Sequence, residues 1–529
     1  MTALQRLEDR LRDSRVASTE RPHVFVPDSI LKRLVAENVS DVLTELGVLD
    51  AERIPCFAQL ISQRAARLFA ALVNVREGSS IVPLLEEGIR DDDLPFVKDS
   101  SSRESQPSLL TKQGQRVQAL KAWTNQSINS FETKQYRVLS PVFRRGEHYE
   151  LDDLHVLPFV NKDMDANPRR VAKGGYGEVS QACIHPDHHE FGDSPAKEHL
   201  GVAVKRMYHD DSFEPERNVY RDLGPSTHPH LIDLLFTFRK GGHYHFVFRR
   251  ANGSLKDYWD QHPHQSVTPA LLIWSMEQMV GIASGLAFFH EFTNPEIDVP
   301  RFGRHGDIKA QNILRFPASN GPGTLKLADL GLARVHRMHS KSDVDPTTVI
   351  VSPTYSPPDV GRNCRVSRKW DIWGLGCLYL EFITYLVLGA EAITEFSEKR
   401  LQDGSSAEAV FRIDNFYSTD HKSVKPSVLD WVDRLKQNSR CSRMMHDVLD
   451  IVIKQMIVIQ PEALSSALGI CQALKEVLCR AKEEDGYLQA QNVDGDSTTS
   501  PGVRPVEFPP IPPPLSRESS TPGRRGTWG

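Results

Sequence analysis

The sequence changes character twice along the chain, and this division constrains the fold more than any single motif does. Between residues 136 and 482, short β-rich runs such as VAVKRM and HYHFVF come first, and long helical stretches follow. Residues 1–135 carry apolar side chains at helical spacing, which predicts a helical region whose role no motif reveals. Residues 483–529 are rich in Pro, Ser and Arg, and we predict disorder there because little apolar surface offsets the entropy of ordering.

Three stretches of the N-terminal region show a helical pattern of apolar residues. The clearest covers residues 28–47, where Pro27 precedes the first turn and a glycine ends the pattern. A second helix is predicted at about 55–75, and a further amphipathic stretch covers about 109–131. The Ser-rich residues 98–108 are predicted to form a flexible joint.

Composition and charge argue against several classes of protein. Hydrophobic residues make up 39% of the 529 residues, so most of the chain can bury a core. Lys plus Arg number 64 against 69 Asp plus Glu, which argues against a nucleic-acid partner or a basic membrane-surface protein. The best candidate for a membrane span, residues 375–390, is interrupted by Glu381 and is shorter than the ~20 residues required.

The cysteines and the N-terminus indicate a cellular compartment. Seven cysteines are scattered without a CxxC pair, as expected for reduced thiols. The N-terminus is charged from its sixth residue and lacks the apolar core of a secretory signal. We therefore predict an intracellular protein, cytoplasmic or nuclear, without a membrane partner.

A glycine-rich turn and a lysine suggest a phosphate site near the start of the β-rich part. Gly174 and Gly177 would let the backbone approach phosphate groups without a Cβ clash, although a hairpin turn alone also explains them. Lys205 ends an apolar β-run, where it could aim its ammonium group at phosphate oxygens. Glu216 opens a helix and could hold Lys205 by an ion pair, with Glu214 as a competitor.

The string His-Gly-Asp-Ile-Lys-Ala-Gln-Asn at residues 305–312 carries the most chemical information. Asp307 could accept a hydroxyl proton, and Lys309 could neutralise a phosphoryl group during transfer. Asn312 could hold a metal ion together with Asp329, which follows an alternating apolar run. Mg²⁺ prefers few carboxylates combined with phosphate oxygens, and this pair fits that preference.

Taken in order, these motifs resemble the signature set of the eukaryotic-type protein kinase superfamily. Residues 352–359 look like the end of its activation segment, and residues 371–377 look like the central helix of its large lobe. The resemblance implies an α+β, bilobal fold with a β-rich N-lobe at about 136–252 and a helical C-lobe at about 253–482. An all-α N-terminal extension before such a domain resembles divergent kinases of filamentous fungi.

The resemblance also implies a role for each matching residue. Asp307 would be the catalytic base, and Lys309 would stabilise charge beside it. Lys205 would contact the α- and β-phosphates of ATP and pair with Glu216. Two residues would bind Mg²⁺, namely Asn312 and Asp329. The nucleotide would lie among Ala172, Gly174, Gly175, Gly177, Val179, Ala203, Lys205, Phe248, Arg249, Asn252 and Leu314.

The activity implied is the ATP- and Mg²⁺-dependent transfer of a γ-phosphate to Ser or Thr hydroxyls of protein substrates. Within the superfamily, Lys309 and Ser352 resemble the serine/threonine branch rather than the tyrosine branch. Two alternatives remain open: a pseudokinase scaffold that binds nucleotide or partners without turnover, and a small-molecule phosphotransferase like aminoglycoside or choline kinases. The Pro-rich tail is a candidate ligand for a partner domain with an aromatic groove.

Several positions depart from the family pattern. Ala172 replaces the first glycine of the loop, and Gly306 replaces an Arg before the catalytic Asp. Asp359 replaces a Glu whose usual Arg partner is also missing, because Leu464 stands there. These changes put the rigidity of the substrate-binding segment in doubt more than the chemistry. Residues 291–304 are longer than the usual connection and predict a surface insertion.

The loss of the Arg at position 306 leads to a prediction about regulation. In the family that Arg binds a phosphate on the activation segment, so we expect activity without phosphorylation of residues 341–352. A protein carrying Thr347→Ala and Thr348→Ala should transfer phosphate as fast as the wild type in a steady-state assay. Abolished activity in this variant would contradict the prediction.

Overall fold

The N-terminal region is mostly helical in a computed structural model of the chain. Its helices are α1 (Ala3–Asp13), α2 (Asp28–Leu46), α3 (Ile54–Arg64), α4 (Ala66–Asn74), α5 (Ile81–Glu86) and α6 (Asn125–Lys134). They share a hydrophobic core of their own. Two short antiparallel pairs, β1 (Val16–Ala17) with β2 (Val24–Phe25) and β3 (Val97–Lys98) with β4 (Leu109–Leu110), add strands to a region predicted to be all-α.

The structure describes most of the chain in twelve stretches. These are residues 1–20, 22–99, 108–161, 172–173, 177–191, 198–224, 228–294, 298–318, 321–336, 353–358, 367–403 and 413–490. The centre of the predicted joint at 98–108 and the Pro-rich tail beyond 490 lie outside them.

The three predicted N-terminal helices have different outcomes. Helix α2 is confirmed, and Gly47 ends it in the left-handed conformation with φ of +62°. The predicted helix at 55–75 is broken at Ala65, because the Asp91 carboxylate accepts hydrogen bonds from the backbone N–H groups of Arg67 and Leu68. Those bonds start a new helix there. The stretch 109–131 becomes helical only from α6 onward.

The next part of the chain forms a seven-stranded sheet, which together with helix α7 (Phe213–Leu223) is called the small lobe. The strand order is β6-β12-β13-β11-β9-β7, with β8 also paired to β9. The strands VAVKRM and HYHFVF, predicted from their alternation, are confirmed as β11 and β13. Two further strands, β5 and β10, pair with each other in a separate two-stranded sheet. The strand bounds are β5 (Phe143–Arg144), β6 (His148–Glu150), β7 (Phe159–Val160), β8 (Ala172–Lys173), β9 (Gly177–Ile184), β10 (His189–Glu190), β11 (Leu200–Met207), β12 (Leu234–Lys240) and β13 (His243–Arg249).

The remaining described residues form a mainly helical large lobe. Helix α10 lies at its centre, because nearly every side chain from Trp370 to Val387 is buried. Strands and helices are thus segregated along the chain, as the α+β prediction expects. The elements are α8 (Leu255–Gln261), α9 (Pro269–His290), β14 (Phe292–Asn294), β15 (Val299–Arg304), β16 (Ile313–Phe316), β17 (Thr324–Leu327), β18 (Arg334–His336), α10 (Lys369–Leu388), α11 (Glu391–Gln402), α12 (Pro426–Gln437), α13 (Arg443–Ile451) and α14 (Ala467–Glu483).

Two helices of the large lobe, α9 and α10, are long and apolar enough to cross a membrane by length and composition. In the structure 72% of the apolar window of α9 and 94% of that of α10 are buried inside the protein. Their apolar surfaces are therefore used in the core of the large lobe. Within the predicted insertion at 291–304, β14 pairs antiparallel with β15, and β15 also pairs with β18.

The N-terminal region packs against the small lobe. Phe25 is fully buried in a cluster with Val156, Val160 and Cys183 of the lobe. Beside it, the ring of His188 lies edge-on to Phe25 at 5.0 Å between centroids. Burial lowers the pKa of His188 to about 4, so the ring is neutral at neutral pH. Its Nε2 can therefore accept the backbone N–H of Asp28, the first residue of α2. The helical region and the sheet are joined by a packed, partly polar interface.

We expect Phe25→Ala to lower the free energy of unfolding by about 3–5 kcal/mol, because it leaves a cavity where the two regions meet. Phe57→Ala is a matched control, since Phe57 is only partly buried on α3 and contacts Arg53. Chemical denaturation of both variants measures the difference. Equal destabilisation by the two substitutions would show that the Phe25 cluster does not join the regions.

Candidate active site

Lys205 occupies the centre of the small-lobe sheet, where β11 runs between β9 and β13. Its ammonium group donates to both carboxylate oxygens of Glu216, at 2.9 and 3.0 Å, and to Asp329 Oδ1 at 2.9 Å. The predicted pair of Lys205 with Glu216 is therefore present, on helix α7. The competitor Glu214 instead pairs with Arg217 on the surface of the same helix, at 3.3 Å.

The charges of this cluster favour a fixed cation. Burial alone would lower the pKa of Lys205, but the carboxylates of Glu216 and Asp329 raise it above its ordinary value. Burial acts to raise the pKa of Asp329, yet Lys205 holds it below its usual value. Lys205 stays charged at neutral pH, which suits a residue that is to bind a polyanion.

The backbone around Asp329 is shaped to bring the cluster together. Asp329 has φ of +65° and ψ of +77°, a conformation that non-glycine residues adopt rarely. The next residue but one, Gly331, leaves room for the charges: a Cβ there would lie 3.3 Å from carboxylate oxygens of Asp329 and Glu216. The turn after β17 therefore places the Asp329 carboxylate directly under Lys205.

The loop between β15 and β16 brings three more predicted residues together. Lys309 Nζ donates to Asp307 Oδ2 at 2.7 Å, and the Asn312 side-chain amide donates to the same oxygen at 2.9 Å. The backbone carbonyl of Asn312 accepts the backbone N–H of Ala328 at 2.9 Å, which places Asn312 beside the turn that carries Asp329. The predicted catalytic and metal-binding residues thus converge on one place from four separate elements.

Asp371 is an essential part of this arrangement that the sequence analysis did not single out. It opens helix α10, is only 2% exposed, and accepts the backbone N–H groups of His305 and Gly306 at 2.9 and 2.8 Å. His290 Nε2 lies 2.8 Å from Oδ2 of the Asp371 carboxylate. A carboxylate inside an otherwise apolar helical run was the signal that could have identified it. Asp371 fixes the backbone that leads into Asp307.

Gly306 is required by backbone conformation at this point. Its φ is +86°, which favours glycine, and a Cβ would lie 3.3 Å from the carbonyl oxygen of Leu332. The residue that departs from the family pattern therefore fits the local geometry without strain. Its hydrogen bond to Asp371 is made by the backbone and needs no side chain.

The residues predicted to surround a nucleotide lie on adjacent elements. On the small-lobe side, Ala203 is the cross-strand partner of Phe248, and Val179 is that of Lys205. On the large-lobe side, Leu314 on β16 bridges to Ser254 in the segment that connects the lobes. Asn252 of that segment donates its backbone N–H to Arg315 at 2.7 Å, and Arg249 ends β13 opposite Val202.

The described part of the glycine-rich turn consists of its two flanking strands. Ala172 lies on β8, opposite Val179 on β9. Gly177 begins β9, and a Cβ there would lie 2.4 Å from the carbonyl oxygen of Arg206, so the strand packing requires glycine. Gly174 and Gly175, predicted to approach phosphates, lie outside the described residues.

Comparison with known proteins gives this arrangement a context. Residues 167–459, more than half of the chain, match the family model described as "Protein kinase domain". In Arabidopsis thaliana, the leucine-rich repeat receptor protein kinase EMS1 is 33% identical over 224 residues, covering 40% of this chain and 16% of that protein. Phytosulfokine receptor 1 is 32% identical over 271 residues, covering 49% of this chain and 23% of the receptor.

A further relative from the same plant has a shorter chain. The probable serine/threonine-protein kinase PBL16 is 29% identical over 222 residues, which cover 41% of this chain and 50% of the relative. The matched segments thus span between 16% and 50% of the relatives' own lengths. These relatives are plant proteins, and the resemblance to kinases of filamentous fungi stays a prediction.

We expect Asp371→Asn to lower the free energy of unfolding by about 2–4 kcal/mol, because its amide group would place a donor against two backbone N–H groups. Burial acts to raise the pKa of Asp371, but the hydrogen bond and charge of His290 hold it below the ordinary 3.8. The carboxylate therefore stabilises the fold above that pH, and this stabilisation is lost as the pH falls further.

Melting temperatures of wild type and variant, measured from neutral to acidic pH, test this expectation. The difference between them should be largest at neutral pH and shrink on acidification. Asp260→Asn is a matched control, because Asp260 is exposed and its ion-pair partner among the described residues is Lys256, on the same helix α8. A difference that is constant with pH would contradict the role given to the charge of Asp371.

Proposed function

The chain belongs to the protein kinase family, and on this premise we propose that it transfers the γ-phosphate of ATP, with Mg²⁺, to Ser or Thr hydroxyls of protein substrates. One observation carries the proposal: Lys205 bridges Glu216 and Asp329, while Asp307 and Asn312 lie beside the turn that holds Asp329. Phosphoryl transfer depends mainly on positioning and on electrostatic stabilisation, and this set supplies both.

The side chains near Asp329 fit a divalent cation. They include one carboxylate, that of Asp329, and one side-chain amide, that of Asn312, whose backbone is bonded to Ala328 next to Asp329. Mg²⁺ is held in this way by few protein oxygens and by phosphate groups. When bound, Mg²⁺ would neutralise negative charge on the phosphate oxygens. We therefore assign Asn312 and Asp329 as its protein ligands.

The chain's own residues then have separate tasks. Lys205, kept charged by its two carboxylate partners, would bind phosphate oxygens of ATP. Asp307 would orient the substrate hydroxyl and accept its proton at Oδ2, the oxygen that Lys309 and Asn312 contact. Lys309 would stabilise the charge of the phosphoryl group as it passes to that hydroxyl.

Two observations support Ser/Thr as the acceptor. Lys309, two residues after Asp307, is the residue by which the sequence resembles the serine/threonine branch, and its ammonium group lies 2.7 Å from the Asp307 carboxylate. One relative is itself named a probable serine/threonine-protein kinase. Ser352, the other residue that favoured this branch, lies outside the described residues.

A transfer assay with labelled ATP, Mg²⁺ and a generic basic protein tests the proposal. Asp307→Ala should lower the rate by about 10²–10⁴-fold, because it removes the base and leaves nucleotide binding intact. Asp260→Ala, a substitution of an exposed aspartate in the same lobe, should leave the rate unchanged.

Other outcomes of the same assay identify the alternatives. Melting shifts with ATP but without transfer would indicate a pseudokinase scaffold. Label on small alcohols alone would indicate a small-molecule phosphotransferase. Either result would overturn the proposed activity.

A further inference from the structure

The described end of the activation segment, residues 353–358, forms one wall of a small cavity beside Asp307. Tyr355, Ser356 and Pro357 line this cavity together with Gly306 and Asp307. Under the proposed function, a protein substrate that presents its hydroxyl to Asp307 would lie beside this wall. The position of the wall therefore bears on how well a substrate is aligned.

Among the described residues, three hydrogen bonds attach the segment to the large lobe: His421 Nδ1 lies 2.5 Å from the carbonyl oxygen of Pro358, and two side-chain hydroxyls donate to carboxylates. Tyr355 donates its hydroxyl to Glu381 Oε2 at 2.6 Å, and Glu381 lies within the buried helix α10. Thr354 donates its hydroxyl to Asp414 Oδ1 at 2.5 Å. The segment is thus held by two carboxylates from different elements of the lobe.

Arg400 on α11 lies between these two carboxylates. It is completely buried, with one guanidinium nitrogen 3.5 Å from Glu381 and 3.6 Å from Asp414. Its Nε donates to the backbone carbonyl of Asp414 at 2.8 Å. The guanidinium also lies against the rings of Phe396 and Phe416, with its central carbon 4.0 and 4.2 Å from the ring centroids.

The physical role of the arginine follows from this placement. Burial raises the pKa of Glu381, and the guanidinium of Arg400 opposes this shift while the nearby Asp414 adds to it. A guanidinium between two aromatic rings stays charged and presents several donors in one plane. Arg400 therefore holds the two carboxylates in place as acceptors for Tyr355 and Thr354.

The contacts around Arg400 also bear on the arginine that is missing at position 464. The resemblance leads one to expect an arginine at position 464 that would pair with residue 359 and stiffen the segment. Leu464 is instead an apolar side chain with only 6% exposure. Asp359 lies outside the described residues, and the segment before it is already attached through Thr354 and Tyr355.

We propose that Arg400 is a positioning residue for the protein substrate, acting through Glu381 and Asp414 on the wall formed by residues 353–358. This inference rests on the proposed function, since it concerns how a protein substrate meets Asp307. Among the described residues, the Arg400 side chain contacts Glu381, Asp414 and two phenylalanine rings, and none of these is a nucleotide-binding or catalytic residue.

The test compares Arg400→Lys and Thr354→Val with the wild type. Lysine keeps the charge but cannot contact both carboxylates in one plane, and valine keeps the shape of threonine without the hydroxyl. For each variant we expect the KM for a protein substrate to rise about three- to tenfold, the worth of one hydrogen bond. The KM for ATP and the ATP hydrolysis measured without protein substrate should not change.

Ser127→Ala is the matched control. Ser127 also carries a half-buried hydroxyl that donates to a carboxylate, Glu77 Oε1 at 2.7 Å, but it lies on α6 in the N-terminal region. Its KM for protein substrate should equal that of the wild type. Wild-type values in both Arg400→Lys and Thr354→Val would overturn the inference.

A second measurement separates this inference from the proposed function. Hydrogen–deuterium exchange of the amides in 353–358 should be faster in both variants than in the wild type or in Ser127→Ala. If the wild type transfers no phosphate to protein, the proposed function fails, and exchange still decides whether Arg400 holds the wall. Unchanged exchange in both variants would overturn the positioning role whatever the activity.

Discussion

The ammonium group of Lys205 is the contact on which the rest of the site depends. It joins a strand, a helix and a turn through Glu216 and Asp329, which are 11 and 124 residues away in sequence. A buried ion pair gains little net stability, because the loss of hydration offsets most of the attraction. The cluster is therefore better explained by function: it sets the distance between the sheet of the small lobe and the turn of the large lobe.

Backbone hydrogen bonds to one carboxylate hold the catalytic loop in a comparable way. Asp371 accepts two consecutive N–H groups just before Asp307, and it is fixed in turn by the central helix of the large lobe. Gly306 can adopt the positive φ that this contact needs. Gly306 stands where the family has an arginine. Its loop is held by backbone hydrogen bonds to Asp371, and this contact needs neither an arginine side chain nor a phosphate on the activation segment.

Contacts outside the reacting groups hold both the substrate wall and the N-terminal region in place. The substrate wall is attached by Thr354 and Tyr355 around the buried Arg400, while position 464 is apolar. The N-terminal helices pack on the small lobe through Phe25. In the part of the chain that the structure describes, these contacts bear on the placement of elements rather than on the reacting groups themselves.

The sequence by itself determined the identity and order of the reacting groups, because Lys205, Asp307 and Asp329 lie in short motifs whose meaning is local. It also determined helix α2, whose apolar period and glycine stop are local signals. Only the tertiary structure decided the break at Ala65 and the role of Arg400. Each depends on a carboxylate from a distant segment, Asp91 in one case and Glu381 with Asp414 in the other. No pattern along the chain encodes such contacts, since packing alone brings the partners together.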